Sequence, residues 1–360
     1  MADKKRTIFL TGATGLLGSY LTKILLENGH KVYALARDKG KLSAEQRVKD
    51  VLRFWGANLP AKGLVVLRGD ITKKRLGLDK ETARRLQGEI EEIYHFAAII
   101  NFNWLLSMIR NVNVIGAQSV LDFAEDCRAK GSLKKVNHIS TAYIYGDYQR
   151  VFNEEMLDVG QKFNNTYEQS KFEAEKLAVK YRQKGLIIDV FRPPIVIGHS
   201  QTGRIIRFNN IYQLLSLCGL KLFYTLPILG AQIRIAPVDS VCEAIYLIAS
   251  NAGGENKNYH IFPAHPVSVE KLVGCGCRLM DVRKPPAVPL KNFNLARLTP
   301  TQKTILRNNI LAINFNNQLN SDATCRLLKN YGFSFPELND KALSLILSYF
   351  AHHKERLNKS

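Results

Sequence analysis

The sequence predicts an α/β protein built on a doubly wound parallel sheet, followed by a smaller, mainly helical lobe. Three observations carry this. Short apolar, β-branched runs alternate with longer helical patterns over the first 200 residues. A glycine-rich turn joins the first run to the first helix. After about residue 200 the alternation gives way to helix and loop patterns. Strands alternating with helices imply βαβ units, right-handed crossovers and a sheet covered on both faces.

Taken in order, Arg6–Thr11 reads as a strand and Leu16–Asn28 as a helix stopped by Gly29. Lys31–Ala36, Leu64–Arg68, Glu92–Phe96, Lys135–Ser140 and Ile187–Arg192 are further strands. Asn113–Cys127 and Tyr167–Gln183 are the most evident helices between them. Arg204–Ile233 is rich in Leu, Ile, Phe and Tyr but is broken by Gly219, Pro227 and Gly230. A helix at Ser240–Ser250 and a strand-like piece at Asn258–Phe262 resume the earlier rhythm, and helices and loops follow from Val267. The expected division is 1–200, with returns around 233–262, and a substrate-facing lobe drawn mainly from 201–360.

Composition bounds the answer further. The chain is 46% hydrophobic and 23% charged, which excludes a disordered chain or a fibre. Lys and Arg number 51 against 31 Asp and Glu, a net +20 that favours acidic or phosphorylated partners. A merely solvated basic surface explains the same excess. Aromatics do not interleave with the basic clusters and no DNA-reading motif occurs, so nucleic acid is not expected. The six cysteines form no CxxC, and Cys275 and Cys277 lack a second ligand pair, so free thiols and no metal are expected. MADKKRTIFLTG runs from charge into the first strand without an apolar leader, making cytoplasmic the default. In Arg204–Ile233 the glycines and proline dilute the apolar run, which disfavours a membrane span.

Thr11-Gly12-Ala13-Thr14-Gly15-Leu16-Leu17-Gly18 sits between that first strand and first helix. Gly12 permits the tight turn, Gly15 lets backbone approach a pyrophosphate and Gly18 lets helix pack on sheet. The backbone from Thr14 to Leu17 then offers the N–H groups and positive dipole end of a helix N-terminus to an anion. Tyr33-Ala34-Leu35-Ala36-Arg37 ends the second strand with a cation, 19 residues after Gly18. An acidic residue there would hold a ribose 2′-hydroxyl, whereas Arg37, with Lys41 nearby, suits a 2′-phosphate and hence NADP(H). Arg37 also reads as an ordinary surface arginine. Asp70, before Ile71, is placed to accept from an adenine amino group or to cap the turn that follows.

Tyr167-Glu168-Gln169-Ser170-Lys171 is a YxxxK. On a helix, i and i+4 share a face, so the lysine can approach a ribose and lower the phenol's pKa. Ser140 and Thr141, at a strand end, offer hydroxyls to the same substrate oxygen. Asn113, opening a helix, would complete a proton relay. Alone, each of these residues is equally well an N-cap or a strand-end hydrogen bonder.

With these residues in place the chain resembles an extended short-chain dehydrogenase/reductase, a Rossmann-type fold. Within that superfamily it is most similar to the fatty acyl-CoA reductase and thioester reductase group, the male-sterility type NAD-binding domain. The matching stretches are TGATGLLG (11–18), IYHFAAIINF (93–102), NVIGAQSVLDFA (113–124), HISTAYIYG (138–146), NTYEQSKFEAEKL (165–177), FRPPIVIG (191–198) and APVDSVCEAI (236–245). The resemblance implies that Thr141, with Ser140, and Tyr167 hold and protonate a substrate carbonyl oxygen. It implies that Lys171 binds the nicotinamide ribose and tunes Tyr167. Ala97 and Ala98 would line the cofactor, and Pro194 and Ile195 would border the nicotinamide.

The implied reaction is NADPH-dependent reduction of an acyl thioester, on CoA or on an acidic acyl carrier protein, to an aldehyde or alcohol. Peripheral contact with an anionic membrane is compatible with the charge. Ile205, Ile206, Phe208, Ile211, Leu214, Leu215, Leu222, Phe223, Leu226 and Ile228 would line an acyl tunnel, or simply form the second lobe's core. Larger members of the group carry a further C-terminal domain or adenylation and carrier domains; none is expected here, so substrate would be accepted in trans, and the region after about 265 matches nothing that can be carried over. Two other readings stand beside this one. The first is an extended dehydrogenase/reductase acting on a steroid-like or sugar-nucleotide hydroxyl or carbonyl; Ala142, where a dehydratase would place an acid, weighs against dehydration. The second is a non-catalytic NADP-binding scaffold or sensor.

Overall fold

The computed structural model describes residues 5–59, 62–102, 104–208, 210–219, 223–251, 254–306 and 318–353. The first half alternates strand and helix: β1 (Thr7–Thr11), α1 (Leu16–Glu27), β2 (Lys31–Ala36), α2 (Ala44–Phe54), β3 (Leu64–Arg68), α3 (Lys80–Glu89) and β4 (Glu92–His95). Then come α4 (Leu106–Arg110), a π-helical turn (Asn111–Ile115), α5 (Gly116–Ala129), β5 (Lys135–Ile139), α6 (Thr166–Gln183), β6 (Ile188–Arg192) and β7 (Ile195–Ile197). The second half comprises α7 (Asn210–Gly219), β8 (Gln232–Ile233), β9 (Ile235–Pro237), α8 (Val238–Asn251), β10 (Asn258–His260) and β11 (Val267–Ser268). It closes with α9 (Val269–Leu279), α10 (Pro300–Leu306), α11 (Asp322–Asn330) and α12 (Asp340–His353).

Among the described residues seven strands form one sheet, in the order β10-β6-β5-β4-β1-β2-β3, with every neighbouring pair parallel. Successive strand residues face opposite sides, so each strand feeds two cores. Ile8, Leu10, Val32, Ala34, Tyr94, Ile139 and Phe191 pack on α1 and α8. Phe9, Tyr33, Leu35, Ile93, Val136 and Val190 pack on the α3–α5 side. The order reverses between β1 and β4, and ligands of such sheets bind beyond the strand carboxyl ends at that point.

A third core is built by α7, α9 and α12 together with residues 142–152 and 223–233. Ile205, Phe208, Ile211, Leu214, Leu215, Phe223 and Leu226, expected in a tunnel, are buried in this core against one another. Leu222 lies outside the described residues. The chain after 201 does not stay with that core. β10 joins the main sheet, and Leu328 and Phe333, on and just after α11, enter the core under α1 and α8. The expected helix Asn113–Cys127 also starts earlier, at Leu106, and Asn113 lies inside its π turn. No described helix is long and apolar enough to cross a membrane.

The β1–α1 turn depends on two glycines. Gly12 has φ +81°, and a Cβ there would sit 2.6 Å from Ala97 N. A Cβ on Gly18 would lie 2.3 Å from the Gly12 carbonyl oxygen, which is backbone and cannot rotate away. Gly18→Ala should therefore destabilise the fold by about 1–3 kcal/mol. Denaturant unfolding checks this, and an unchanged midpoint would show that the turn relaxes freely.

Candidate active site

The site forms where β1, β4, β5 and β6 end. Gly15 caps α1 without any side-chain partner, and no acidic residue occupies the first turn. The N–H groups that open α1 at Leu16 and Leu17 thus keep their capacity for an anion. The Thr11 hydroxyl bonds His95 Nδ1 at 2.8 Å and accepts from Ala97 N at 3.3 Å, which fixes half-buried Ala97 and Ala98 across from the turn. Small residues there leave the cradle open, and it fits a dinucleotide pyrophosphate.

At the end of β2, Arg37 is exposed and pairs with Asp70 at 3.4 Å. Arg47, on α2, was not singled out from the sequence. Its guanidinium donates to the Arg37 carbonyl and, at 3.3 Å, to the Thr14 hydroxyl. Ser43 caps α2 and Asp38 accepts Ala44 N, so this helix delivers Arg47 to the glycine turn. Burial, with Arg37 and Arg207 close by, lowers the Arg47 pKa. Lys41 is exposed beside the Lys39–Leu42 bridge and makes no contact that places it in the site. The Asp70 carboxylate accepts both the N–H and the hydroxyl of Thr72, each at 2.9 Å. That is the turn-capping role, and it uses one of the oxygens expected for adenine. Ile71 is buried against Gly116, where an added Cβ would meet it at 2.6 Å.

Tyr167 and Lys171 lie one turn apart on α6, whose start is set by Asn165 accepting Glu168 N. The Thr141 hydroxyl stands near enough to the Tyr167 phenol to act on it: burial pushes the phenol above its ordinary value, and the Thr141 hydroxyl pulls it partly back. The lowering by Lys171 expected from the spacing is not what the geometry provides. Lys171 Nζ is buried and donates to the Ile139 carbonyl at 2.6 Å. Ser140 is buried too, its N–H bonded to the Phe191 carbonyl and its hydroxyl without a partner among the described residues. Pro194 is buried and Ile195 partly so, in β7 beside β9.

Asn113 departs from its expected role. Its amide grips both backbone groups of Ile99, accepting the N–H at 2.8 Å and donating to the C=O at 3.0 Å. It also donates to Ser170 Oγ at 2.9 Å. This side chain positions the loop after β4; it does not reach Lys171. Glu168 is a second residue missed from the sequence. It is buried beside Tyr167, holds the Asn164 N–H and the Asn164 and Asn165 amides, and is pushed up to about 7 by burial. Its capping-box spacing from Asn165 was legible; its burial was not.

A parallel sheet with an open pyrophosphate cradle at its reversal point, and a Tyr–Lys–hydroxyl set beside it, defines a nicotinamide-dependent oxidoreductase of the extended short-chain type. The profile of the family described as male sterility protein matches residues 10–245, and the chain belongs to this NAD-binding family. The carboxylic acid reductase of Segniliparus rugosus is 30% identical over 73% of this chain, which spans about a quarter of that relative (24%). The terminal R domain of the myxalamid PKS-NRPS pathway superposes with a TM-score of 0.81 at 25% identity, covering 97% of this chain and 91% of that one. An archaeal thiolation-reductase di-domain shares the fold, with a TM-score of 0.79 at 20% identity over 98% and 76% of the two chains.

Burial holds the Lys171 pKa at about 8, below its ordinary 10.5. A lysine lowered in the folded state binds fewer protons there than in the unfolded chain between those values. Stability therefore rises with pH across that window, and the cost is greatest below it. Lys171→Met should raise the Tm of cofactor-free protein at pH 7, and the gap to wild type should close as pH approaches 10. A gap absent at pH 7, or constant with pH, would refute this.

Proposed function

We propose that this chain is an NADPH-dependent reductase of acyl thioesters, acting on a carrier-bound or CoA-bound acyl group. The observation that carries the proposal is the grouping at the sheet's carboxyl end of the Thr141 hydroxyl, the nearby Tyr167 phenol and, one turn further along the same helix, Lys171 held at the Ile139 carbonyl. It presents two hydroxyls at one point, the arrangement a carbonyl oxygen needs as it gains charge. NADPH, when bound, supplies the hydride. Tyr167 donates a proton to the oxygen while the Thr141 hydroxyl hydrogen-bonds it, so the pair stabilises the developing oxyanion. Lys171, one turn away and buried, would move from the Ile139 carbonyl towards a ribose hydroxyl and support the phenol's return to charge balance.

Arg37 and Arg47 support NADPH over NADH. They meet at the end of β2 beside the glycine turn, where a 2′-phosphate would lie, and a dianion there relieves the repulsion between them. The similarity to a carboxylic acid reductase, to the terminal R domain of a PKS-NRPS pathway and to a di-domain that joins thiolation and reductase domains supports a thioester substrate. A carrier-protein thioester is accordingly the substrate form we favour. The chain's net charge of +20 suits an acidic carrier.

NADPH oxidation with acyl thioesters on CoA and on a carrier protein, alongside the matching aldehydes, tests the reading. Thioester turnover is expected in wild type and should fall by about 100-fold or more in Tyr167→Phe. Aldehyde-only turnover would reduce the assignment to a carbonyl reductase. Arg47→Ala should raise KM for NADPH about 10–100-fold with little change for NADH. Equal effects on both cofactors would assign Arg47 to holding α2 instead.

A further inference from the structure

The loop after β4 carries an apolar strip that leads from the cofactor cradle, past Tyr167, to the surface. It begins at Ala97 and Ala98, and no charged residue occurs between Phe96 and Ile109 in a chain of net +20. The Phe102 ring lies 5.9 Å from the Tyr167 ring, centroid to centroid. Beyond it, large apolar side chains face solvent: Ile100 is 69% exposed, Trp104 39%, Leu105 70% and Met108 49%. Exposed apolar side chains clustered beside a site, rather than scattered singly, mark a contact surface. The strip is also held in place. Asn113 grips Ile99 at one end, and the Thr166 hydroxyl donates to the Trp104 carbonyl at 3.0 Å at the other. Both anchors stand on the helices that frame Tyr167, so the strip's position is tied to the catalytic hydroxyl.

We infer that Ile99, Ile100, Phe102, Trp104, Leu105 and Met108 form the binding surface for the apolar acyl chain of the substrate, running outward from Tyr167 over Phe102, Ile100 and Leu105. This rests on the thioester-reductase reading and adds to it where the chain lies. In the expected alternative, the stretch 205–228, Ile205, Phe208, Ile211, Leu214, Leu215, Phe223, Leu226 and Ile228 are packed into the core of the second lobe. A thioester carbonyl held at Tyr167 and Thr141 must send its chain across some neighbouring surface. Phe102 is the aromatic ring in contact with that tyrosine. A charged or sugar-bearing substrate would leave the strip's apolar groups without a partner.

The test is the chain-length profile of kcat/KM for a thioester series from four to sixteen carbons, in wild type, Ile100→Ser, Leu105→Ser and the double variant. Both positions are exposed, so the variants should fold, and equal Tm values confirm it. Wild type should gain with each added pair of carbons. The double variant should lose about tenfold at the long end, in KM more than kcat, and so flatten the profile. A double variant that keeps the wild-type slope overturns the inference. So does a variant that changes only the oligomeric state by light scattering, since the strip would then be covered by a second copy. Wild-type protein that turns over no thioester sinks the functional reading alone. In that case binding of cis-parinaric acid, followed by its fluorescence, still decides the strip: weaker binding in the double variant supports it and unchanged binding overturns it.

Discussion

The buried ion pair between Arg192 and Glu175 holds α6, the helix of Tyr167 and Lys171, to the sheet. Arg192 ends β6 and is fully buried; Glu175 lies on α6, one turn beyond Lys171, and is 2% exposed. The guanidinium meets the carboxylate through Nε at 3.1 and 3.2 Å and through Nη2 at 2.7 Å. Its remaining donors reach the Glu154 and Met156 carbonyls and His260 Nε2. A buried pair is stable only when its hydrogen bonds are filled, because two charges have left water. Here the filling groups come from β6, α6, the loop before α6 and β10. The pair thus sets the position of Tyr167 and Lys171 along the helix axis relative to Ser140 and Thr141 at the end of β5.

The same network ties in the end of the chain. Burial and the neighbouring Arg192 push His260 down to about 3, so its ring is neutral. Its Nε2 can then accept from Arg192 while Nδ1 donates to the Asn320 carbonyl at 2.5 Å. The Thr324 hydroxyl accepts the His260 N–H and donates to Glu154. α11 is thereby fastened to the sheet rather than to the second lobe, although nothing in its local sequence says so. Beneath the site the pattern repeats with uncharged groups. Thr11, His95 and His138 stand in register across β1, β4 and β5, and burial beside Lys171 lowers both imidazoles. A neutral floor of this kind leaves Lys171 as the cation facing the cofactor side.

Much of this was legible in the sequence, for physical reasons. Short apolar, β-branched runs set between helical patterns located the first strands to within a residue, because a sheet covered on both faces buries whole strands. The glycine turn and the Tyr–Lys spacing are local geometry, so they carried over directly. What failed was what tertiary contacts decide. Asn113 looks like a helix opener because asparagine caps helices, but α4 precedes it and its amide is claimed by Ile99. Asp70 reads equally as an adenine acceptor and as a turn cap, and its carboxylate is engaged as the cap of its own turn. Residues 205–228 are apolar whether they line a tunnel or fill a core, and composition cannot tell these apart. Arg47 and Glu168 were passed over because an arginine on a polar helix face and a glutamate in a first turn are ordinary until burial is known.

Two of these groups are held where stability alone would not put them. Lys171 is a cation buried with one carbonyl partner and its pKa is depressed. Arg47 is partly desolvated beside two other arginines, and its pKa is depressed as well. Each arrangement raises the energy of the empty fold, and a ligand that brings hydroxyls to one and negative charge to the other lowers it. On the proposed reading, a dinucleotide bearing a 2′-phosphate would do both, with its pyrophosphate held by the N–H groups that open α1. The three positions lie on separate elements, α6, α2 and α1. A single ligand that satisfies all three would therefore draw those elements together. On that account the electrostatic strain at Lys171 and Arg47 would be the counterpart of cofactor affinity.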